Sequence, residues 1–115
     1  MKIGSIDLGL QPLLLAPLED ITDSPFRQLC KGYGADMVFT EFISSEGLTR
    51  KAAKSYNKLD FDETERPVAI QIFGHDPEAM RQAAILAAEA NPDSIDINFG
   101  CPVKKVISKG GGADL

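Results

Sequence analysis

The fold is decided by the stretch Asp96-Ile97-Asn98-Phe99-Gly100-Cys101-Pro102. Polar and apolar residues alternate up to Asn98, which predicts a short β-strand, and Gly100 then permits a turn that a side chain would crowd. In a parallel α/β fold, ligands bind at the carboxyl ends of the strands. Asn98 and Cys101 are therefore predicted to lie at such a mouth, although a loop cysteine is more often only a small buried apolar residue.

Three further β-strands are predicted upstream, at 13–16, 37–40 and 68–73. The first is a continuous apolar run ended by proline, which is the pattern of a strand buried on both faces. The third is rich in β-branched residues and is ended by glycine. A short leading strand or hairpin is predicted at 3–8, ahead of the main fold.

Helical patterns separate these strands. One helix is predicted to begin at Asp23 or Ser24, with a proline in its first turn, and to bury an apolar stripe that includes Cys30. Another is predicted after Asp76, again with a first-turn proline, and presents an alanine-rich face for packing on a sheet. A weaker helix is predicted at 47–56, and a polar loop follows it.

Strands and helices alternate at intervals of roughly 25 to 30 residues, which predicts βα units around a parallel sheet. The 115 residues, 43% apolar and 25% charged, have the composition of one globular domain. The sequence stops in a glycine-rich segment where a fourth helix should begin, which would expose the flank of the last strand. We therefore interpret the chain as an N-terminal fragment.

Charge and cysteine content disfavour several classes of protein. The net charge of −5 and the pI of about 4.7 argue against a surface that binds nucleic acid throughout, so any RNA contact must be local. Basic residues at 49–58 are interpreted as a solvated face, whereas Lys104, Lys105 and Lys109 follow Cys101 and are candidates for substrate contact. One histidine and no Cys-x-x-Cys pair are too few ligands for a zinc site. No signal peptide or membrane span is predicted, so the cytoplasm is the default compartment.

Four motifs, in order, resemble those of the tRNA-dihydrouridine synthases. They are LAPLEDITDSPFR at 15–27, QIFG at 71–74, DINFGCP at 96–102 and KGGGADL at 109–115. Two positions depart from the usual pattern. The opening motif commonly has Met where Leu18 stands, which preserves volume and apolarity, and often Gly where Asp20 stands, which bears on the shape of the local loop.

The resemblance implies a fold and a reaction. The family is built on an eight-stranded (β/α) TIM barrel, which needs roughly 250 residues, so 1–115 would be the N-terminal half of an FMN-binding barrel domain. The reaction is reduction of a uridine in tRNA to dihydrouridine, with FMN as cofactor and NADPH as the usual hydride source.

The resemblance also implies roles for particular residues. Cys101 would donate the proton to C5 of the uracil ring, and a thiol with a reference pKa of about 8.5 is mostly protonated at neutral pH, which suits an acid. Asn98 would bind the flavin or the uracil edge, and Gln71 would bind the flavin ring. The isoalloxazine would be lined by three consecutive residues, Ala16, Pro17 and Leu18.

Two alternatives stay open at this point. One is another FMN barrel oxidoreductase that acts on a free pyrimidine, of the dihydroorotate or dihydropyrimidine dehydrogenase type; the basic loop with Lys104, Lys105 and Lys109 favours RNA over a free base. The other is a non-catalytic fragment that lacks a complete FMN site. A fragment of this kind is expected to self-associate through its open strand edges.

Overall fold

The computed structural model describes residues 1–100 of the chain. A small antiparallel hairpin comes first, formed by β1 (Lys2–Ile3) and β2 (Ile6–Asp7). The other strands are β3 (Leu14–Leu15), β4 (Met37–Phe39), β5 (Ile43–Ser44), β6 (Val68–Phe73) and β7 (Ser94–Ile97). The helices are α1 (Ser24–Gly32), α2 (Ser45–Thr49), α3 (Ala53–Asn57) and α4 (Pro77–Glu89), and a 3-10 turn spans Glu63–Glu65.

The second sheet is entirely parallel. Strand β3 pairs with β4, both β4 and β5 pair with one edge of β6, and β7 pairs with its other edge. Because strands that succeed one another in sequence are neighbours and helices connect them, the predicted α/β architecture with a parallel sheet is confirmed. Within residues 1–100 the sheet does not close on itself. No helix in this part of the chain is long and apolar enough to cross a bilayer.

A one-residue bulge divides β4 from β5. Val38 pairs with Val68, thirty residues later, whereas Ile43 pairs with Ile72, twenty-nine residues later, so one extra residue lies between the two short strands. The side chain of Thr40 compensates for the interrupted ladder, because its Oγ1 accepts a hydrogen bond from the backbone N–H of Gln71 at 3.1 Å. The backbone of β6 is thereby held at the point where the neighbouring strand bulges.

Strand β6 is buried on both faces, and its alternate residues pack against different layers of the fold. Ile70 and Ile72 pack with α2 and α4 in the largest apolar cluster, while Ala69 packs on the opposite face with Met37 and the β1–β2 hairpin. Gln71 shares the face of Ala69, since side chains two apart on a strand point the same way. The hairpin and this polar side chain therefore lie on the same side of the sheet.

Helix α4 agrees closely with its prediction. Asp76 is the N-cap, its Oδ2 accepting from the N–H of Ala79 at 2.8 Å, and proline occupies the first turn. Ala83 and Ala87 are completely buried. Near the start of the helix Gly74 permits a close approach, because a Cβ there would lie 2.0 Å from Oγ of Ser45.

The prediction of a buried apolar stripe on α1 is wrong for most of its members. Asp23 caps the helix as expected, but Leu29 and Tyr33 are 57% and 86% exposed. Cys30 is half-buried and packs beside the cluster of Ala35, Val38 and Val68. The buried α1 residue is Arg27, 3% exposed, and its partners lie in the turn before the helix and in the segment before β6.

Arg27 is held by a buried network of hydrogen bonds. Its Nε forms an ion pair with Glu65, whose side chain is completely buried. Nη1 donates to the carbonyl of Thr22 at 2.7 Å, and Nη2 donates to that of Asp60 at 3.1 Å. Glu65 also accepts from Ser24 Oγ, at 2.7 Å. The network ties α1 to the loop before β6.

Two other predictions need correction. The strand at 13–16 was expected to be buried on both faces, but Leu13 and Leu14 are 63% and 37% exposed, because β3 is an edge strand within the described residues. The helix expected at 47–56 is two short helices, α2 and α3. Lys51 separates them with a left-handed backbone, φ 58°.

Candidate functional site

A polar cluster lies at the carboxyl ends of β6 and β7. Gln71 is directly opposite Asp96 in the parallel ladder, so the two side chains emerge on the same face of the sheet. Nε2 of Gln71 donates to Oδ2 of Asp96 at 2.6 Å. Oε1 of Gln71 in turn accepts from Nδ2 of Asn98 at 3.2 Å. Two residues predicted to act together, Gln71 and Asn98, are thus in direct contact.

Backbone contacts fix both amide side chains. Gln71 is 6% exposed and its N–H is bonded to Thr40 across the bulge. Asn98 continues the ladder past the end of β7, since its N–H donates to the carbonyl of Ile72 at 3.0 Å. Its Oδ1 then accepts from the N–H of Gly100 at 2.9 Å, which forms the turn that leads to Cys101.

Asp96 and Thr40 were not predicted as site residues. The alternation in the last strand places Asp96 on the same face as Asn98, so that signal was present in the sequence. No comparable signal marked Thr40, because its contact with Gln71 depends on a bulge between segments thirty-one residues apart. Thr40 is also completely buried.

The segment Ala16 to Leu18 follows β3, two strands away from Gln71 in the sheet. Ala16 and Leu18 are exposed, and Pro17 is half-buried. Thr22 holds the segment in place, since its Oγ1 accepts from the N–H of Leu18 at 2.9 Å and donates to the same residue's carbonyl at 3.1 Å. No hydrogen bond joins this segment to Gln71 or Asn98 among residues 1–100.

The next turn explains one departure from the usual family pattern. Asp20 has a left-handed backbone, φ 62°, a conformation that glycine adopts without strain and that aspartate tolerates better than most residues. Its N–H is bonded to the carboxylate of Glu41, which follows β4. The carboxyl-end loops of the first two βα units are therefore linked by a direct hydrogen bond.

The remaining sequence candidates divide into two groups. The predicted proton donor Cys101 and the predicted substrate-binding residues Lys104, Lys105 and Lys109 lie outside the described residues. The basic segment at 49–58 lies within them, and most of its basic side chains are exposed, as a solvated face would be.

Charged groups near the mouth are paired with one another. Lys58 lies 3.5 Å from Glu19 and 5.8 Å from the ring centroid of Phe42. His75 Nδ1 lies 3.4 Å from Glu46 Oε1. Residues 1–100 contain no group of three or more His, Cys, Asp or Glu side chains placed to hold a metal ion.

Shifted pKa values occur on α4 and in the turn before β6. On the surface of α4, hydrogen bonds from Arg81 and Gln82 lower the pKa of Glu78 to about 2. Before β6, hydrogen bonds from Thr64 lower the pKa of Asp62, and the hydrogen bond that Arg66 donates to Glu63 raises the pKa of Arg66. These pKa shifts arise from hydrogen bonds within a helix and a turn. The candidate site at Gln71 is identified instead by the hydrogen bonds and distances of its side chains.

Comparison with known proteins identifies the sequence family. The model of the dihydrouridine synthase (Dus) family matches residues 14–115. A probable tRNA-dihydrouridine synthase of Aquifex aeolicus is 48% identical over 97 residues, which are 83% of this chain and 30% of that protein. The tRNA-dihydrouridine synthases B of Vibrio cholerae and Pseudomonas aeruginosa are 42% and 43% identical over all 115 residues, which are 35% and 34% of their lengths.

The chain thus spans about a third of the length of the curated relatives it matches. The matched region contains all of the parallel sheet and the polar cluster at its carboxyl end. It also contains the four motifs that suggested the resemblance. The chain belongs to the dihydrouridine synthase family.

Proposed function

We propose that this chain supplies the first half of an FMN-binding (β/α)8 barrel that reduces uridine in tRNA to dihydrouridine. The observation that carries the proposal is the hydrogen-bonded cluster of Gln71, Asp96 and Asn98 at the carboxyl ends of adjacent parallel strands. Barrel enzymes place their chemistry at this end of the sheet. The relatives compared above are named as tRNA-dihydrouridine synthases, which supports tRNA as the substrate.

The residues present fit a flavin ring. Gln71 and Asn98 carry amide groups, which suit the carbonyl oxygens and ring nitrogens along the edge of an isoalloxazine. The exposed segment from Ala16 to Leu18 offers small size and backbone polar groups for a flat ligand. These five residues, Ala16, Pro17, Leu18, Gln71 and Asn98, are the proposed cofactor-binding set. Bound FMN, reduced at the expense of NADPH, would supply the hydride that adds to C6 of the uracil ring.

The chain's own contribution to the chemistry would be a proton. Saturation of the C5–C6 bond requires one at C5, and we assign it to the thiol of Cys101, which follows the turn fixed by Asn98 and Gly100. Later in the same stretch of sequence, Lys104, Lys105 and Lys109 would contact tRNA phosphates as point charges. This local basic segment suits a chain whose net charge is −5.

Substrate comparison tests the proposal. The natural full-length protein is purified, its absorbance is scanned for bound flavin, and NADPH oxidation is followed with three acceptors: tRNA lacking dihydrouridine, free uracil and orotate. We expect a flavin spectrum and turnover with tRNA alone. Turnover with a free pyrimidine but not with tRNA would favour the dehydrogenase alternative. A colourless protein that cannot be reconstituted with FMN would contradict the proposal.

A further inference from the structure

The polar cluster is a chain of hydrogen bonds with a single direction. Asp96 accepts from the Gln71 amide, Gln71 accepts from the Asn98 amide, and Asn98 accepts from the N–H of Gly100. A side-chain amide can turn over and exchange its donor and acceptor ends at almost no cost in shape. Something in the cluster must therefore decide which way each amide faces.

An ionised carboxylate can decide this, because it accepts hydrogen bonds and has none to donate. Opposite Asp96, Gln71 must present its NH2 group, so its oxygen faces Asn98. Asn98 must then present its own NH2 group to that oxygen, so its Oδ1 faces Gly100. The carboxylate thus fixes the Gln71 amide and, through it, favours one orientation of Asn98; the N–H of Gly100, which can only donate, requires the same orientation from the other end.

The hydrogen bond between Gln71 and Asp96 is strong enough to determine the orientation of the Gln71 amide. At 2.6 Å it is short even for a charge-assisted bond, and Gln71 is 6% exposed, so water competes little for its amide. By contrast, the bond from Asn98 to Gln71 is 3.2 Å long and joins two neutral groups. Of the two side-chain bonds that Gln71 makes, the one to Asp96 therefore does more to set its orientation.

We infer that Asp96 is a positioning residue, which sets the amide orientation of Gln71 and Asn98 and leaves one N–H of each for a ligand edge that carries acceptors. Each NH2 group has two hydrogens, and one of each pair is used within residues 71–98. This inference rests on the proposed function only for the identity of the ligand. The orientation itself is a property of the protein.

The first experiment tests the orientation without any cofactor. Side-chain amide resonances of the full-length protein are recorded after selective ¹⁵N-glutamine labelling, and that of Gln71 is assigned by its loss in Gln71→Ala. In Asp96→Asn we expect the Gln71 amide protons to shift upfield, because a charged acceptor has become a neutral group that can also donate. In Asp93→Asn they should stay in place. An unchanged Gln71 resonance in Asp96→Asn would overturn the inference.

Asp93 is the matched control because it precedes the same strand at its opposite end. Its Oδ2 accepts from the N–H of Val68 at 2.8 Å and from Arg66 at 3.2 Å, so Asp93→Asn also removes a bonded carboxylate. Both variants should lose stability. Only Asp96→Asn should disturb the ligand site.

The second experiment measures the ligand consequence. FMN is titrated into the full-length apoprotein, with wild type, Asp96→Asn and Asp93→Asn compared at a temperature where all three are folded. We expect Asp96→Asn to raise the Kd about tenfold, as for loss of one charge-supported hydrogen bond, and Asp93→Asn to leave it within about twofold of wild type. Equal FMN affinity in all three proteins would overturn the role assigned to Asp96. Failure of the wild type to bind FMN would contradict the proposed function, while the Gln71 resonance would still test the orientation.

Discussion

Replacing Glu65 with glutamine should destabilise this protein more than any exposed charge substitution. Glu65 is completely buried and pairs with Arg27, which is 3% exposed. Its carboxylate also accepts from Ser24 Oγ and from the N–H of Asp62, each at 2.7 Å. Glutamine preserves the shape but leaves a buried guanidinium without a countercharge and turns one acceptor oxygen into a donor. Breaking a buried pair in this way costs about 3–5 kcal/mol, a large share of the roughly 5–15 kcal/mol that stabilises a domain.

Urea unfolding of the full-length protein, followed by far-ultraviolet circular dichroism, measures this effect. Glu78→Gln is the matched control, because its pair with Arg81 is 60% and 59% exposed and should contribute little. The double variant Arg27→Met/Glu65→Gln removes the unpaired charge and should recover part of the lost stability. If the free energy of unfolding of Glu65→Gln lies within about 1 kcal/mol of the wild-type value, the ion pair does not stabilise the protein as argued.

Three further predictions concern single positions. In the full-length protein, Cys101→Ala should slow the reoxidation of the reduced flavin by tRNA about 10²–10⁴-fold in stopped-flow measurements, with FMN binding and NADPH oxidation nearly intact. Cys30→Ala should instead lower the free energy of unfolding modestly and leave turnover per folded molecule unchanged. Wild-type reoxidation in Cys101→Ala would refute the proton-donor role. Gly74→Ala should lower the free energy of unfolding in urea by about 1–3 kcal/mol, because the new Cβ would lie 2.0 Å from the buried Oγ of Ser45. An unchanged unfolding midpoint would contradict this, since it would mean that Ser45 moves aside without cost. The pKa of the exposed Glu78 carboxyl should lie below 4.5 in carbon-detected NMR, because Arg81 and Gln82 donate hydrogen bonds to it, so its small contribution to stability is complete above pH 4.5 and is lost as the pH falls below that value. Arg81→Met should return the midpoint toward 4.5, and no change would refute the hydrogen-bond cause.

Local signals in the sequence predicted the elements whose determinants are local. The limits of β6 and the cap and first turn of α4 follow from β-branched residues, Asp76 and Pro77, and the structure has them where predicted. The face of α1 could not be predicted this way. Burial of Arg27 depends on its ion pair with Glu65, thirty-eight residues later, and no residue of the helix indicates that this pair will form.

The same distinction holds at the candidate site. The strand pattern predicted that Asn98 lies at a carboxyl end, and the family motif singled out Gln71. Their contact, and the role of Asp96 between strands, follow from the register that pairs Gln71 with Asp96. Register is set by the whole sheet, so it could not be deduced from either motif alone.

The bulge between β4 and β5 restricts how the sequence can change during evolution. Phe39 and Ile43 are four residues apart and would share a face in a regular strand, yet Phe39 packs with the hairpin layer and Ile43 with the helices. Deleting one residue from 40–42 would restore a continuous ladder in which Phe39 and Ile43 are three apart, so Ile43 would still face the helices. Deleting two residues would leave them two apart, on the same face, and would turn Ile43 toward the hairpin layer. Homologous chains that lack one residue here should therefore keep the apolar pattern downstream, whereas those that lack two should show apolar and polar side chains exchanged.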